Sequence, residues 1–391
     1  MKTELSTQGT DRVGNQRGRA VTRVLTALVL AVALAAAAGT STTGQSQTAA
    51  TASLPAKLSD AEFWALATEI SEPGGYFRIA DNFTSNEMEV GPVFASLRER
   101  KLSGGVYLGV GPEQNFSYIS AIKPAMAFIL DIRRQAVMQH LMFKAMFELS
   151  KDRADFLSLL FAKARPKDLD ATMPVQKLWE TYFPISVDAA LVTKTRDRVV
   201  EHLVKTHKFT LNADELAQLD WVMSAFAQYG PGITTNGSNS SGRGGGANNR
   251  ITFADLTGWS LDASGVPQSF LATDESFQIV KALHDKNLIV PVSGDFGGAK
   301  ALRGIGAYLT ARSARVSAFY LSNVEQYLYQ DSKATAFYDN VATLPITETS
   351  VFIRPYALRS GGNALCGIAS FLKSVQAGRV YDNRTATACM N

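Results

Sequence analysis

The stretch from Gly104 to Arg134, GGVYLGVGPEQNFSYISAIKPAMAFILDIRR, constrains the fold more than any other part of the chain. Val106-Tyr107-Leu108 is short, apolar and β-prone, and a glycine-rich turn, Gly109-Val110-Gly111-Pro112, follows at once. Ala125 to Leu130 is a second apolar run and ends at Asp131. Neither run alternates polar with apolar, as expected of parallel strands buried on both faces. The order is therefore strand, tight turn, short helix, strand. Glycine lets the backbone turn sharply and lets a ligand approach it closely. The helix after the turn would aim its first N–H groups at whatever lies above it. Asp131 stands 20 residues after Gly111, about where a nucleotide-binding βαβ unit carries the carboxylate that holds a ribose. A third glycine of the dinucleotide fingerprint is absent, since position 114 is Gln. The turn is thus also open to a purely structural reading, a strand-to-helix connection that binds nothing.

The same alternation continues downstream. Asn287 to Val292 reads as a strand, and a second glycine-rich turn, Ser293-Gly294-Asp295-Phe296-Gly297-Gly298, follows it. Lys300–Thr310 reads as a helix, Val316–Leu321 as a strand ending at Ser322-Asn323, Ala334–Leu344 as a helix and Ser350–Arg354 as a strand. Strands alternating with helices predict an α/β fold, a doubly wound and mostly parallel sheet of Rossmann type. Between its halves lies a large helical insertion. Val137, Met138, Leu141, Met142, Ala145 and Met146 give a helical stripe whose methionines read as core filler. Further helices are expected at 58–71, 86–101, 152–164 and 274–286, and two or three more within 173–228. Ser59 or Asp60 would cap the first, and Ser150 or Asp152 the helix at 152–164. Residues 230–250, GPGITTNGSNSSGRGGGANNR, are low in complexity and are expected to bury nothing. The domain reading is a first half at 58–149, the insertion at 150–272, a second half at 273–360 and a C-terminal tail at 361–391.

The N-terminus reads as an address. Lys2, Arg12, Arg17, Arg19 and Arg23 precede Val24–Ala38, an apolar run broken only by Thr26 and followed by a Ser/Thr/Gln/Ala linker. That pattern suits a signal peptide over 1–38, with cleavage near Ala36–Gly39 and a linker over 39–57. An uncleaved N-terminal anchor is the other reading. Export would place the mature chain in the periplasm or outside the cell, with no membrane-spanning segment. Residues 1–23 carry five bases against two acids and so supply most of the net charge of +4. The remainder is near neutral, which gives no argument for a nucleic-acid partner. Cys366 and Cys389 are the two cysteines and would pair in an oxidising compartment. The four histidines, 140, 202, 207 and 284, show no metal spacing, and five residues do not bring His202 and His207 onto one α-helical face. No metal site is expected.

LGVGPEQNFSYI, AFILDIRRQ, FELSKDRADFLSLLF and NLIVPVSGDFGGAKAL resemble an uncharacterised bacterial family with a methyltransferase-like Rossmann fold, over roughly residues 58–355. The resemblance implies S-adenosylmethionine as cofactor. Gly109, Gly111, Pro112, Glu113 and Asn115 would form the first-motif turn, Asp131 would hold the ribose, and Asp295 would lie near the adenine. Asn323 would face the reacting group. The acid such enzymes carry just before the first glycine is replaced here by Tyr107 and Leu108.

Methyl transfer is mainly a matter of positioning and needs neither metal nor covalent nucleophile. Asp295 and Tyr320 are the candidate base or orienting groups, with Asn323 beside them. For Asp295 the plainer reading is a turn cap, and for Tyr320 core packing with a satisfied hydroxyl. An exported binding or structural module that keeps the fold without turnover is the alternative. A nicotinamide oxidoreductase lacks its third glycine, and no G-x-S-x-G supports a hydrolase.

Overall fold

The computed structural model describes residues 53–78, 81–88, 90–167, 169–170, 172–237, 251–359 and 361–389. The signal-peptide reading and most of the 39–57 linker lie outside these residues. No helix among them is long and apolar enough to cross a membrane.

Six strands form one sheet: β1 (Val106–Gly109), β2 (Met126–Asp131), β3 (Ile289–Ser293), β4 (Val316–Tyr320), β5 (Ile346–Ile353) and β6 (Leu365–Gly367). Their spatial order is β3-β2-β1-β4-β5-β6. The first five run parallel, with Leu108 opposite Phe128 on one side and Phe319 on the other, and β6 runs antiparallel to β5. The protein is thus α/β with a mostly parallel sheet. β1 to β3 are buried along their whole length, which explains their unbroken apolar sequences. The chain leaves β1 toward one edge and returns to β4 on the other side, so the strand order reverses between β1 and β4.

α1 (Asp60–Ile70) opens on a capping box made by Ser59 and Glu62, and α2 (Gly91–Glu99) begins where Pro92 fixes its first turn. α3 (Gln114–Ile122) joins β1 to β2. α4 (Arg134–Leu149) follows β2. The crossover then passes through α5 (Arg153–Phe161), α6 (Val175–Tyr182), α7 (Ala189–Glu201), α8 (Ala213–Tyr229), α9 (Phe253–Gly258) and α10 (Asp274–Asp285) before β3. α11 (Ala301–Thr310) precedes β4. α12 (Val324–Gln330) and α13 (Ala334–Val341) lie between β4 and β5. α14 (Pro355–Arg359), α15 (Ile368–Gln376) and α16 (Asn383–Ala388) complete the chain. α1 and α4 pack on β3, α11 on β2 and α15 on β5.

The insertion shares the core of the sheet. Phe116 of α3 meets Phe143 and Phe147 of α4, Phe270 before α10 and His284 of α10, all within 5.3 to 5.5 Å between ring centres. Trp179, Phe161, Phe226 and Phe253 extend this aromatic cluster outward into the insertion.

Three expectations are corrected. Residues 230–237 are packed: Ile233 and Thr234 are fully buried, and the Thr235 hydroxyl donates to the carbonyls of Thr84 and Ser85 at 3.0 and 3.2 Å. Ile233 is the one large apolar residue of that polar stretch and anchors it; 238–250 lie outside the described residues. The tail at 361–391 is built into the fold, supplying β6, α15 and α16, and the expected pairing of Cys366 with Cys389 is present. His202 and His207 do come together, because His202–Thr206 form a π-helical turn, wider than an α turn and closed by a hydrogen bond from residue 207 back to residue 202.

Candidate functional site

Parallel strands all present their C-terminal ends to one edge of the sheet, and where the order reverses the flanking helices part. A cleft lies there, with an empty volume of about 1020 Å³ that includes its open mouth. The turn after β1 contributes Val110, Gly111 and Pro112, the end of β2 and the turn after it contribute Asp131, Ile132 and Arg133, and the turn after β3 contributes Asp295 and Phe296. Tyr320, Ser322 and Asn323 come from the end of β4, and Val324, Tyr327 and Leu328 from α12. The segments 76–77 and 82–86 form a lip through Tyr76, Phe77, Asn82, Ser85 and Asn86, with Thr235 beside them. Gly75 N–H donates to Ile132 O at 2.7 Å and holds that lip against the end of β2.

The two glycines of the turn do different work. A Cβ on Gly109 would stand 1.9 Å from Asn115 Oδ1, so this glycine makes room for Asn115. The Asn115 amide donates to the carbonyls of Val110, Gly111 and Pro112 at 2.9, 3.0 and 2.7 Å, and Tyr107 donates to its Oδ1 at 3.0 Å. Gly111 has φ +73° and nothing within 4 Å of where its Cβ would stand. From beneath, His140 Nε2 lies 2.9 Å from the Gly111 carbonyl. Burial lowers the His140 pKa from 6.5 to about 4, so the ring is neutral and donates Nε2–H to that carbonyl. Glu113 is buried as well, with both carboxyl oxygens 3.1 Å from Ser85 N–H, and burial raises its pKa to about 8. Gly109, Glu113 and Asn115 therefore sit under the turn, whereas Gly111 and Pro112 line the cleft.

Asp131 lines the cleft, but its carboxylate is engaged. Arg133 donates from its backbone N and Nε to Oδ1 at 3.0 Å each and from Nη2 to Oδ2 at 2.8 Å. Asp295 is ion-paired with Lys333 and accepts from Gly297 N–H at 3.0 Å, the turn-capping role. The glycine turn around it is filled from inside by Glu72, whose carboxylate accepts from the backbone of Asp295, Lys300 and Ala301 at 3.2, 2.9 and 2.9 Å. Gly298 is required by that carboxylate, since a Cβ there would stand 2.6 Å from Glu72 Oε2.

Tyr320 leads to a residue that sequence reasoning missed. Its hydroxyl donates to Glu87 Oε2 at 2.7 Å, and Ser322 donates to Oε1 at 2.8 Å. Glu87 is 5% exposed, and burial raises its pKa despite both hydrogen bonds. A buried carboxyl with a raised pKa beside a cleft is a candidate acid or base. No motif marks it: Asn86-Glu87-Met88 follows no pattern, and only the fold brings it to β4. The mouth carries aromatic surface, with Tyr76 88% exposed, Phe77 edge-on to Tyr327 at 4.9 Å and the Arg78 guanidinium 5.0 Å from the Tyr327 ring centre.

Comparison with known families gives a match over most of the chain. A family described as a domain of unknown function (DUF7790) covers residues 82–216 and 257–379. The chain belongs to this family. No curated protein matches the chain. The family segments hold Glu87, Gly109, Gly111, Asp131, Asp295, Tyr320 and Asn323, and of the residues lining the cleft only Tyr76, Phe77 and Thr235 fall outside them.

Proposed function

We propose that the cleft binds a nucleoside-containing small molecule and that its chemistry is S-adenosylmethionine-dependent methyl transfer. The observation that carries the reading is the open, positive-φ Gly111 at the reversal of strand order, with Asp131 beside it. The residues fit such a cofactor at the turn, because a ligand can rest directly on backbone where no side chain intervenes. Gly111 and Pro112 would hold it by close approach, Asp131 would share a ribose hydroxyl with Arg133, and the exposed Tyr76 ring offers a planar face. When bound, the cofactor supplies an electrophilic methyl group. Asn323 and Ser322 would orient the acceptor, and Glu87 would take its proton through Tyr320.

The second reading is a module that binds without turnover. It is favoured by the internal partners of Asp131, Asp295 and Tyr320, each already satisfied. For both readings we infer an exported protein, from the basic and apolar pattern of residues 1–38. The Cys366–Cys389 bond supports an oxidising compartment.

Thermal-shift and calorimetric titration of the full chain with S-adenosylmethionine, S-adenosylhomocysteine, NAD and ATP tests the cofactor, and methyl transfer from bound S-adenosylmethionine separates turnover from binding alone. A ligand that binds only the native state raises the melting temperature. Binding of S-adenosylmethionine and its demethylated product, weakened by Asp131→Asn, supports the first reading. Binding of neither removes it and leaves the second.

A further inference from the structure

A second cluster lies at the far end of α4. Arg134 starts that helix beside the cleft, and Glu148 is 14 residues further on, about 21 Å away at the helical rise. There the π-helical turn closes with His207 N–H donating to His202 O at 3.0 Å. Its wider repeat sets the two imidazoles edge to face, with ring centres 4.6 Å apart and Nε2 atoms 3.2 Å apart. Both Nε2 atoms face one carboxylate oxygen, Glu148 Oε2, at 2.8 and 2.7 Å. The His202, His207 and Glu148 side chains are 18%, 9% and 9% exposed.

The surroundings are built to hold these atoms. His207 Nδ1 lies 2.7 Å from Asp60 Oδ1, and Asn287 donates to that same oxygen at 2.8 Å. Phe209 stacks on the His207 ring at 4.9 Å. Lys144 takes the other oxygen of Glu148 at 2.6 Å, which leaves Oε2 as its one free ligand atom. A carboxylate on the far nitrogen of a histidine is the usual support of a metal-bound imidazole, since it fixes the tautomer and raises the ligand's basicity. Without an ion, both imidazoles reach the same carboxylate oxygen, and their Nε2 atoms are held 3.2 Å from each other. An ion at their meeting point would bond all three. π turns inside helices are rare and occur often at functional sites.

We propose that Glu148 Oε2, His202 Nε2 and His207 Nε2 bind one divalent transition-metal ion of the zinc type, with Asp60 as the group that orients His207. Two imidazole nitrogens and one carboxylate oxygen suit zinc, cobalt or nickel and disfavour calcium and magnesium, which take oxygen ligands. The fourth position is left to water. The ion would tie α4 to the turn after α7, with α1 joined through Asp60, about 21 Å along α4 from the cleft end of that helix.

The test is a Co²⁺ titration of chelator-stripped full chain, followed by absorption spectroscopy. The expected result is one equivalent bound with the visible bands of a four-coordinate nitrogen–oxygen site, displaced by Zn²⁺, and a higher melting temperature with either ion. His202→Ala should abolish binding. Asp60→Ala should weaken it about 10- to 100-fold, the usual cost of losing such a support. If His202→Ala fails to fold, the parent spectrum decides, because the other two histidines are buried inside the protein. A parent chain that takes up no stoichiometric Co²⁺, or a folded His202→Ala that binds it as tightly, would overturn the proposal and leave a charged hydrogen-bond network.

Discussion

Single residues under the glycine turn carry opposite expectations that sequence alone would have merged. Gly109→Ala places a methyl group against the clamping Asn115 and should cost about 1–3 kcal/mol through overpacking. Gly111→Ala meets no neighbour and should cost about 1–2 kcal/mol from its left-handed backbone alone. Urea unfolding of both variants, with ligand titration of the second, separates support from contact: Gly111→Ala should lose affinity out of proportion to stability. Glu113 gives a pH prediction. Its folded pKa of about 8 exceeds its ordinary 4.5, so the folded state holds a proton that the unfolded chain has released. Its contribution is full below pH 4.5 and is lost as pH rises to 8, at most about 1.4 kcal/mol per pH unit. His140 acts with the reverse sign: its folded pKa of about 4 lies below 6.5, so stability falls as pH drops through that window. Only Glu113 of the two titrates between 6.5 and 8. Glu113→Gln should therefore be more stable than the parent at pH 8 by denaturant midpoint and should show a shallower slope from 6.5 to 8, with the remainder left to groups such as His207, whose pKa is also raised. An unchanged slope would mean that Glu113 is ionised in the fold.

At the scale of elements, the sheet was legible because parallel strands buried on both faces leave continuous apolar runs. Val106 to Leu108, Ala125 to Leu130 and Val316 to Leu321 all became strands. β6 was not legible, because Leu365-Cys366-Gly367 is too short to show a pattern and depends on pairing with β5. The π turn was hidden for another reason: α-helical geometry was the only repeat against which a five-residue spacing could be judged. Of the cleft, Gly111, Pro112, Asp131, Asp295, Tyr320 and Asn323 were read from the chain. Glu87 and the aromatic lip were not, since their place is set by contacts 233 residues apart, as between Glu87 and Tyr320. The disulfide belongs to this scale as well. It spans 23 positions and fastens α16 to β6. Replacing both cysteines by serine should lower stability by about 3 kcal/mol in the chain-entropy account, with ligand affinity at the distant cleft unchanged. Denaturant midpoints under oxidising and reducing conditions check the first part, and equal midpoints would show that the last helices are loose without the bond.

For the whole molecule, the central question is whether the helical insertion is a passenger. Its sequence position, inside one crossover, makes it look removable. The packing argues otherwise. Phe116 belongs to the first βαβ unit, yet Phe270 from the insertion's last turn closes its ring cluster, and Phe156 of α5 packs on Phe147 at 4.6 Å. Arg153 reaches from α5 to the carbonyls of Leu271 and Met173 at 2.6 Å each, joining the start of the inserted segment to its end. Removing residues 150–272 would expose one side of Phe116, Phe143 and Phe147 at once. Truncating a buried aromatic to alanine costs about 3–5 kcal/mol, and stripping away its neighbours should cost a similar amount at each site. A domain has only about 5–15 kcal/mol to lose. The full chain should therefore unfold in one transition. Fluorescence of a Trp64→Phe variant, whose remaining tryptophans, Trp179, Trp221 and Trp259, all lie in the insertion, should follow the same denaturant curve as far-UV circular dichroism from the whole fold. The chain lacking 150–272 should bind a hydrophobic dye and melt without cooperativity. Two separated transitions in the parent, or a cooperative melt of the shortened chain, would show instead that the sheet stands alone and that the insertion was added to a core already complete.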